Sequence, residues 1–175
     1  MRVVAGELKG RRLASPPRRS ADVRPTSDRV REALFSILGD VSGERVLDLY
    51  AGTGALGIEA LSRGASSAVL VDSDPRLARR NVEVLGLSDR CEVVRFDALR
   101  YLARTDESFD LVLCDPPYAL APKLGPELER LIPARLAEHG RLVVESPSRE
   151  PVDLDLPQLA ERRFGEALIR IWAVR

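Results

Sequence analysis

The sequence of 175 residues has 27 basic and 27 acidic side chains and is 45% hydrophobic, which predicts one folded globular domain rather than a disordered chain. No apolar run approaches the roughly 20 residues of a membrane span, and the basic N-terminus lacks the apolar stretch of a secretory signal, so we expect a cytoplasmic protein. The two cysteines, Cys91 and Cys114, are far apart and His139 is the single histidine, so we predict neither a disulfide framework nor a metal site.

Charge is distributed unevenly along the chain. Residues 1–31 contain nine basic and three acidic side chains, a net charge of +6, so the rest of the chain carries −6. A basic segment on an acidic body is the pattern expected when one face of a protein meets a polyanion. On charge alone an arginine-rich solvated surface explains the counts equally well, because 25 of the 27 basic residues are arginine.

Residues 1–40 are predicted to form an N-terminal extension. Residues 1–15 combine strand-forming side chains with two glycines, which suits a short hairpin or an extended arm. Residues 26–28, Thr-Ser-Asp, supply N-cap oxygens, and apolar residues then recur at helical spacing. We therefore predict an amphipathic helix of about three turns, with Arg29 and Arg31 off its apolar stripe.

From residue 41 to residue 175, short apolar strands alternate with helices. Strands are predicted over residues 46–50, 68–71, 92–96, 109–114 and 141–145, and helices over residues 54–63, 75–85 and 126–138, with a short helix after Asp97. The tail, residues 163–175, alternates enough for a final strand or hairpin. This order predicts an α/β fold with a doubly wound, mostly parallel sheet, in which ligands bind at the carboxyl ends of the strands.

A glycine-rich turn, within DLYAGTGALG, follows the first predicted strand. Gly52, Gly54 and Gly57 have the spacing G-x-G-x-x-G, and Asp72 lies 20 residues after Gly52, where a carboxylate would bind ribose hydroxyls. By this spacing alone a dinucleotide such as NAD is favoured. A tight turn also admits other adenosine-based ligands, however, and the carboxylate of Asp48 beside it favours a cationic amino group over a phosphate.

Carboxylates also follow the third and fourth strands. Asp97 is equally suited to accept a hydrogen bond from an adenine amine and to cap the next helix. In the segment 115–118, Asp-Pro-Pro-Tyr, the prolines fix the backbone so that the Asp115 carboxylate and the Pro116 carbonyl point at one spot, beside the flat ring of Tyr118. Two acceptors and a ring in this arrangement predict a site for a planar exocyclic amine.

Residues 48–54 and 115–118 resemble motifs I and IV of the class I S-adenosylmethionine-dependent methyltransferases that act on exocyclic amino nitrogens. More narrowly, residues 2–6, 10–13 and 24–32 (RVVAG, GRRL and RPTSDRVRE) resemble the N-terminal signature of the bacterial 16S ribosomal RNA guanine-N2 methyltransferases. The resemblance covers essentially the whole chain. Motif IV is shared with DNA and protein methyltransferases, whereas the RPTSDRVRE block is specific.

The resemblance implies a Rossmann-like fold: a seven-stranded, mostly parallel sheet with helices on both faces, an antiparallel C-terminal strand, and a hairpin and helix extension before it. It implies transfer of a methyl group from S-adenosylmethionine to N2 of a guanine in 16S rRNA, within the small ribosomal subunit or an assembly intermediate. We expect a monomer.

The resemblance also implies roles for individual residues, with Asp48 near the methionine end of the cofactor, Asp72 at the ribose and Asp97 at the adenine. The predicted catalytic residues are Asp115, Pro116, Pro117 and Tyr118. The predicted cofactor-binding residues are Asp48, Ala51, Gly52, Thr53, Gly54, Asp72 and Asp97. The predicted RNA-binding residues are Arg11, Arg12, Arg18 and Arg19 of the basic arm and Arg24, Thr26 and Arg29 of the specific block.

Three alternatives stay open at the level of the sequence. One is a methyltransferase for another amino nitrogen, in DNA adenine or cytosine or in protein glutamine, although 175 residues leave no room for a target-recognition domain. Another is an NAD-dependent oxidoreductase, favoured by the glycine spacing. The third is a non-catalytic RNA-binding or assembly factor that keeps the fold.

Overall fold

The computed structural model describes residues 1–16 and 27–173. Four predicted RNA-binding residues, Arg18, Arg19, Arg24 and Thr26, lie outside the described residues. None of the helices in the described part of the chain combines the length and the hydropathy of a membrane-spanning segment.

Seven strands form one sheet. They are β1 (Arg45–Leu49), β2 (Ser67–Asp72), β3 (Cys91–Arg95), β4 (Phe109–Cys114), β5 (Leu136–Pro147), β6 (Gln158–Phe164) and β7 (Ala167–Ala173). Their order is β3-β2-β1-β4-β5-β7-β6. Strands β1 to β5 are parallel, whereas β7 is antiparallel to both β5 and β6, which confirms the predicted mostly parallel α/β sheet.

Helices cover both faces of the sheet. They are α1 (Asp28–Leu38), α2 (Ala55–Ser62), α3 (Arg76–Leu85), α4 (Ala98–Arg104) and α5 (Ala121–Leu131), the last followed by a 3-10 turn (Ile132–Ala134). One core lies between the sheet and α1, α2 and α3, and the other between the sheet and α4 and α5. Strand β1 contributes side chains to both cores, because Val46 faces the first core and its neighbour Leu47 faces the second.

The prediction of a helix over residues 126–138 was wrong in its bounds. Helix α5 begins at Ala121, with Pro122 in its first turn, where the missing N–H of proline leaves no hydrogen bond unmade. Pro126, which was expected to open the helix, lies inside it. The chain has already entered β5 at Leu136, so the last residues of the predicted helix belong to a strand.

The prediction that Arg31 lies off the buried stripe of α1 was also wrong. Arg31 is fully buried, beside Leu34 and Phe35 on the inner face of the helix. Its guanidinium donates to the carbonyl oxygen of Arg2 and, over 2.8 Å, to Oδ1 of Asp28. Burial of the charge is therefore compensated by hydrogen bonds that tie α1 to the N-terminus.

The first residues form the predicted hairpin, closed by an antiparallel bridge between Arg2 and Arg12. Helix α2 holds this hairpin through the carboxylate of Glu59, which accepts the N–H groups of Val4 and Ala5 at 2.8 and 3.0 Å. Glu59 is fully buried, so the hairpin is fixed to the helix that follows the glycine-rich turn. The division of the chain at residue 40 stays a prediction.

Candidate functional site

The loops after β1, β2 and β4 begin side by side at one edge of the sheet. Leu49 of β1 is paired with Val71 of β2 and with Cys114 of β4, and the N–H of Ala51 donates to the carbonyl oxygen of Val71 over 3.1 Å. The sheet order reverses direction between β1 and β4. Ligands of doubly wound sheets bind at such a switch point, so this edge is the candidate site.

A cleft of about 760 Å³ lies at this edge, a volume typical of small-molecule and cofactor sites. Ten of the eleven predicted cofactor-binding and catalytic residues line it. They are Asp48, Ala51, Gly52, Thr53, Asp72, Asp97, Asp115, Pro116, Pro117 and Tyr118. Gly54 is the exception. The structure thus brings together the glycine-rich turn and the Asp-Pro-Pro-Tyr segment, which are far apart in the sequence.

The carboxylate of Asp72 lines the cleft and binds backbone N–H groups beside it. Its Oδ2 accepts the N–H of Gly52 and its Oδ1 accepts the N–H of Asp74, each at 2.8 Å. Asp72 therefore holds the glycine-rich turn in place as well as facing the cleft. Each oxygen has a further lone pair for a ligand hydroxyl.

The glycines of the turn have different roles. Gly52 lines the cleft, and a Cβ added to it would lie near no atom except the carbonyl oxygen of Tyr50 at 3.9 Å. A Cβ on Gly54 would lie 2.8 Å from Cδ1 of Leu70, and one on Gly57 would also collide with the Leu70 side chain. Gly54 and Gly57 therefore permit close packing of α2 on β2, while Gly52 leaves the turn open towards the cleft.

Asp48 is a buried carboxylate at the back of the cleft. Its side chain is 1% exposed, Oδ2 accepts the N–H of Gly57 over 2.9 Å, and Oδ1 has no hydrogen-bond partner among the described residues. Burial, reinforced by the negative charges of Asp115 and Asp72, raises the pKa of Asp48 to about 7. A buried acceptor with an unused oxygen suits a cationic donor that neutralises it.

Asp97 begins α4. Its Oδ1 accepts the N–H of Arg100 over 2.9 Å, so the carboxylate caps the helix, one of the two roles that the sequence left open. Because Asp97 also lines the cleft, its predicted contact with an adenine stays a prediction.

The Asp-Pro-Pro-Tyr segment forms the other side of the cleft. Asp115 is partly buried, Pro116 is buried and Tyr118 is 42% exposed. Leu120, also exposed, lines the cleft near Tyr118. A partly buried carboxylate and an exposed aromatic ring in the same cleft suit a flat ligand that enters from solvent.

Some cleft residues were not predicted. Tyr50 has a backbone φ of 60°, which is strained for a bulky side chain and is often found at functional sites. Glu145 and Glu166 also line the cleft. Glu145 ends the predicted fifth strand, so the strand-end argument applied once more would have found it. Nothing in the local sequence marks Glu166, which lies in the turn between β6 and β7.

The described RNA-binding candidates lie outside the cleft lining. Arg11, Arg12 and Arg29 are all exposed. The two ends of the described hairpin segment, Met1 and Pro16, line the cleft instead. The hairpin therefore reaches the site through Met1 and Pro16, while Arg11 and Arg12 are exposed outside the cleft.

Comparison with known proteins finds a matching family model and relatives that are named as rRNA methyltransferases. A family model described as "Conserved hypothetical protein 95" matches residues 1–173. The Bacillus subtilis protein named "Putative rRNA methyltransferase YlbH" is 37% identical over 165 residues, covering 90% of this chain and 86% of that protein. "Ribosomal RNA small subunit methyltransferase D" of Escherichia coli K12 is 38% identical over 121 residues, covering 67% of this chain and 60% of that protein.

Solved structures match over nearly the full chain. The solved structure named "Putative methyltransferase yhhF from Escherichia coli" has a TM-score of 0.82 and 31% identity, covering 100% of this chain and 98% of that one. A hypothetical protein of Thermus thermophilus has a TM-score of 0.83 and 32% identity, covering 99% of each chain. The fold of this chain is thus shared with these two solved structures.

Proposed function

We propose that this chain, which belongs to the family described as conserved hypothetical protein 95, transfers a methyl group from S-adenosylmethionine to N2 of a guanine in 16S rRNA. The observation that carries the proposal is that the Asp-Pro-Pro-Tyr segment and the glycine-rich turn line one cleft. The names of the relatives in Bacillus subtilis and Escherichia coli support rRNA as the class of substrate.

The residues of the cleft fit S-adenosylmethionine. The unused Oδ1 of Asp48 suits the amino group of the methionine end, Asp72 suits the ribose hydroxyls, and the open side of Gly52 leaves room for the ligand beside the turn. When bound, S-adenosylmethionine supplies a methyl group that its sulfonium has already activated. The protein therefore needs to orient the acceptor more than to activate the donor.

The catalytic work of this chain is orientation of the target amine. We propose that the guanine NH2 group donates one hydrogen bond to the Asp115 carboxylate and the other to the Pro116 carbonyl. Hydrogen bonds to both acceptors draw these protons out of the plane of the base, so that the nitrogen lone pair is free to attack. The methylated nitrogen is strongly acidic and loses its extra proton to Asp115 or to water.

The target base must leave its stack to reach Asp115 and Pro116, since N2 lies on the edge of a paired guanine. Tyr118, at the exposed rim, would stack on the extruded base. The basic residues of the arm and of the RPTSDRVRE block would contact the flanking phosphates. We propose that the protein acts as a monomer on the small subunit or an assembly intermediate, in the cytoplasm where these particles are found.

The cleft favours this proposal over a dinucleotide-dependent oxidoreductase. Gly54 and Gly57 pack closely against Leu70 and do not line the cleft. The carboxylate of Asp48, which accepts the N–H of Gly57, would repel a pyrophosphate beside the turn. Calorimetry with S-adenosylhomocysteine and with NAD separates the two, and binding of NAD alone would overturn the proposal.

The experiment that tests the activity is transfer of a labelled methyl group to ribosomal particles. Small subunits from a bacterial strain that lacks its own enzyme of this kind are incubated with the protein, and the modified nucleotide is mapped. We expect label at N2 of one guanine in 16S rRNA. Naked 16S rRNA, large subunits and the Asp115→Ala variant are the controls. Label confined to large subunits, or no label with any substrate, would contradict the proposal.

A further inference from the structure

The buried side chain of Asn81 links the glycine-rich turn to the N-terminal hairpin. Asn81 lies on the inner face of α3 and is 3% exposed. One N–H of its amide donates to the carbonyl oxygen of Thr53 over 2.9 Å, and Nδ2 also donates to the carbonyl oxygen of Ala14 over 3.1 Å. Its Oδ1 accepts the N–H of Ala14 over 2.7 Å. A single amide therefore satisfies backbone groups of two separate segments.

Both ends of this link belong to the cleft region. Thr53 lines the cleft, and Pro16, which lines it too, follows Ala14 by two residues. A second contact joins the same segments, because Oγ1 of Thr53 lies 3.8 Å from Sδ of Met1. A movement of the turn that displaced the Thr53 carbonyl would thus strain the hydrogen bonds of Asn81 to the hairpin.

The chemistry of Asn81 argues for this role. A polar amide inside a helix-sheet core stabilises the fold only when its donors and acceptor are all satisfied. Here they are satisfied only while the turn and the hairpin keep their relative positions. An apolar side chain would fill the same place between Ala78 and Val82 without linking the two segments.

We propose that Asn81 is a positioning residue that transmits occupancy of the cofactor cleft to the N-terminal hairpin. A ligand that holds the glycine-rich turn also holds the Thr53 carbonyl, and through Asn81 it stabilises the hairpin, which carries Arg11 and Arg12 of the predicted RNA-binding arm. By linkage, a stabilised hairpin then favours the ligand to the same extent. The inference rests on the proposed function in one respect, which is that S-adenosylhomocysteine is a ligand of the cleft.

Hydrogen exchange of the hairpin tests the inference without RNA or activity. The backbone N–H groups of Val3, Gly10 and Leu13 donate to carbonyls within the hairpin, so a peptide over residues 2–14 reports its opening. With the wild-type protein and S-adenosylhomocysteine at 100 times its Kd, we expect exchange of this peptide to slow about tenfold or more. With Asn81→Ala we expect less than a twofold change at the same saturation.

Ser62→Ala is the matched control. Ser62 is also buried, and its Oγ accepts the N–H of Leu8 and donates to the carbonyl oxygen of Ala5. Neither hydrogen bond involves Thr53, and Ser62 does not line the cleft. The Ser62→Ala variant should speed hairpin exchange in the free protein and still show the slowing caused by the ligand. A purely structural role for Asn81 would make the two variants behave alike.

A second variant covers the case in which Asn81→Ala does not fold. Asn81→Ser keeps a polar group beside the buried carbonyls but is too short to reach both Thr53 and Ala14, so it too should lose the response. A ligand response that persists in a folded Asn81 variant, or is absent from the wild type although the ligand binds, overturns the inference. Failure of the wild type to bind S-adenosylhomocysteine would instead overturn the proposed function together with it.

Discussion

The N–H of Gly52 donates to Oδ2 of Asp72 over 2.8 Å, so the carboxylate at the end of β2 holds the turn that follows β1. We predict that Asp72→Ala weakens binding of S-adenosylhomocysteine by about 10- to 100-fold, because both a turn contact and the acceptor for the ribose are lost. Asp72→Asn, which keeps one acceptor for the turn, should lose less. Isothermal calorimetry measures both.

Asp89→Ala provides the control for this change. Asp89 is an exposed carboxylate in the turn before β3 and does not line the cleft. Its removal should leave the affinity unchanged. An Asp72→Ala protein that binds the ligand as tightly as the wild type would show that Asp72 neither shapes the turn nor contacts the ligand.

Asp48→Asn should stabilise the free protein at high pH. Burial raises the pKa of Asp48 to about 7, whereas an unfolded chain has a value of about 4. Between these values the folded state binds more protons than the unfolded state, so stability falls as the pH rises from about 4 to 7. Asparagine, which can still accept from Gly57, avoids this loss of about 2–4 kcal/mol. Thermal unfolding at pH 5 and pH 8 measures it.

The comparison of the two pH values is the control within that experiment. The gain in Tm over the wild type should be large at pH 8 and small at pH 5, where Asp48 is protonated. The same variant should bind S-adenosylhomocysteine more weakly, since an amide cannot neutralise an ammonium group. An equal Tm difference at both values would show that Asp48 ionises normally.

The strand-end carboxylates could be predicted from the sequence because parallel strands end at one edge of a sheet. Asp72, Asp97 and Asp115 each follow a short apolar run, and the alternation of such runs with helices predicts one mostly parallel sheet. The same reasoning could not separate Gly52 from Gly54, since their difference depends on where the side chain of Leu70 lies.

Features that depend on pairing between distant segments were not predictable. The helical pattern places Arg31 off the apolar stripe and does not show that the hairpin supplies a buried partner for it, the carbonyl oxygen of Arg2. Glu166 reaches the cleft because β7 lies between β5 and β6 in the sheet. The predicted helix began at Pro126, whereas helix α5 continues through this proline, which normally interrupts a helix.

Substitutions of Asp115 distinguish orientation of the amine from general-base catalysis. If the carboxylate mainly accepts a hydrogen bond, Asp115→Ala should lower the rate of methyl transfer by about 10²-fold or more, with binding of S-adenosylhomocysteine nearly unchanged. Asp115→Asn keeps one acceptor oxygen but cannot take up a proton. We therefore expect it to retain clearly more activity than the alanine variant in single-turnover assays.

Asp106→Ala, which removes an exposed carboxylate before β4, should leave the rate unchanged. If Asp115→Asn were as inactive as Asp115→Ala, proton removal by Asp115 would be required. If neither variant lost activity, the Asp115 carboxylate would not orient the target amine.

The basic arm should set the salt dependence of RNA binding. Each phosphate contact that is lost should flatten the slope of log K against log salt by about 0.7–0.9. Arg11 and Arg12 are exposed on the hairpin, so their double alanine variant should reduce the slope by up to twice the value for one contact. Further replacement of Arg18 and Arg19 should reduce the slope again. A double alanine variant of Arg130 and Arg162, exposed arginines outside the basic segment, is the matched control and should keep the wild-type slope. Equal slopes in all of these proteins would exclude the arm as an electrostatic contact to RNA.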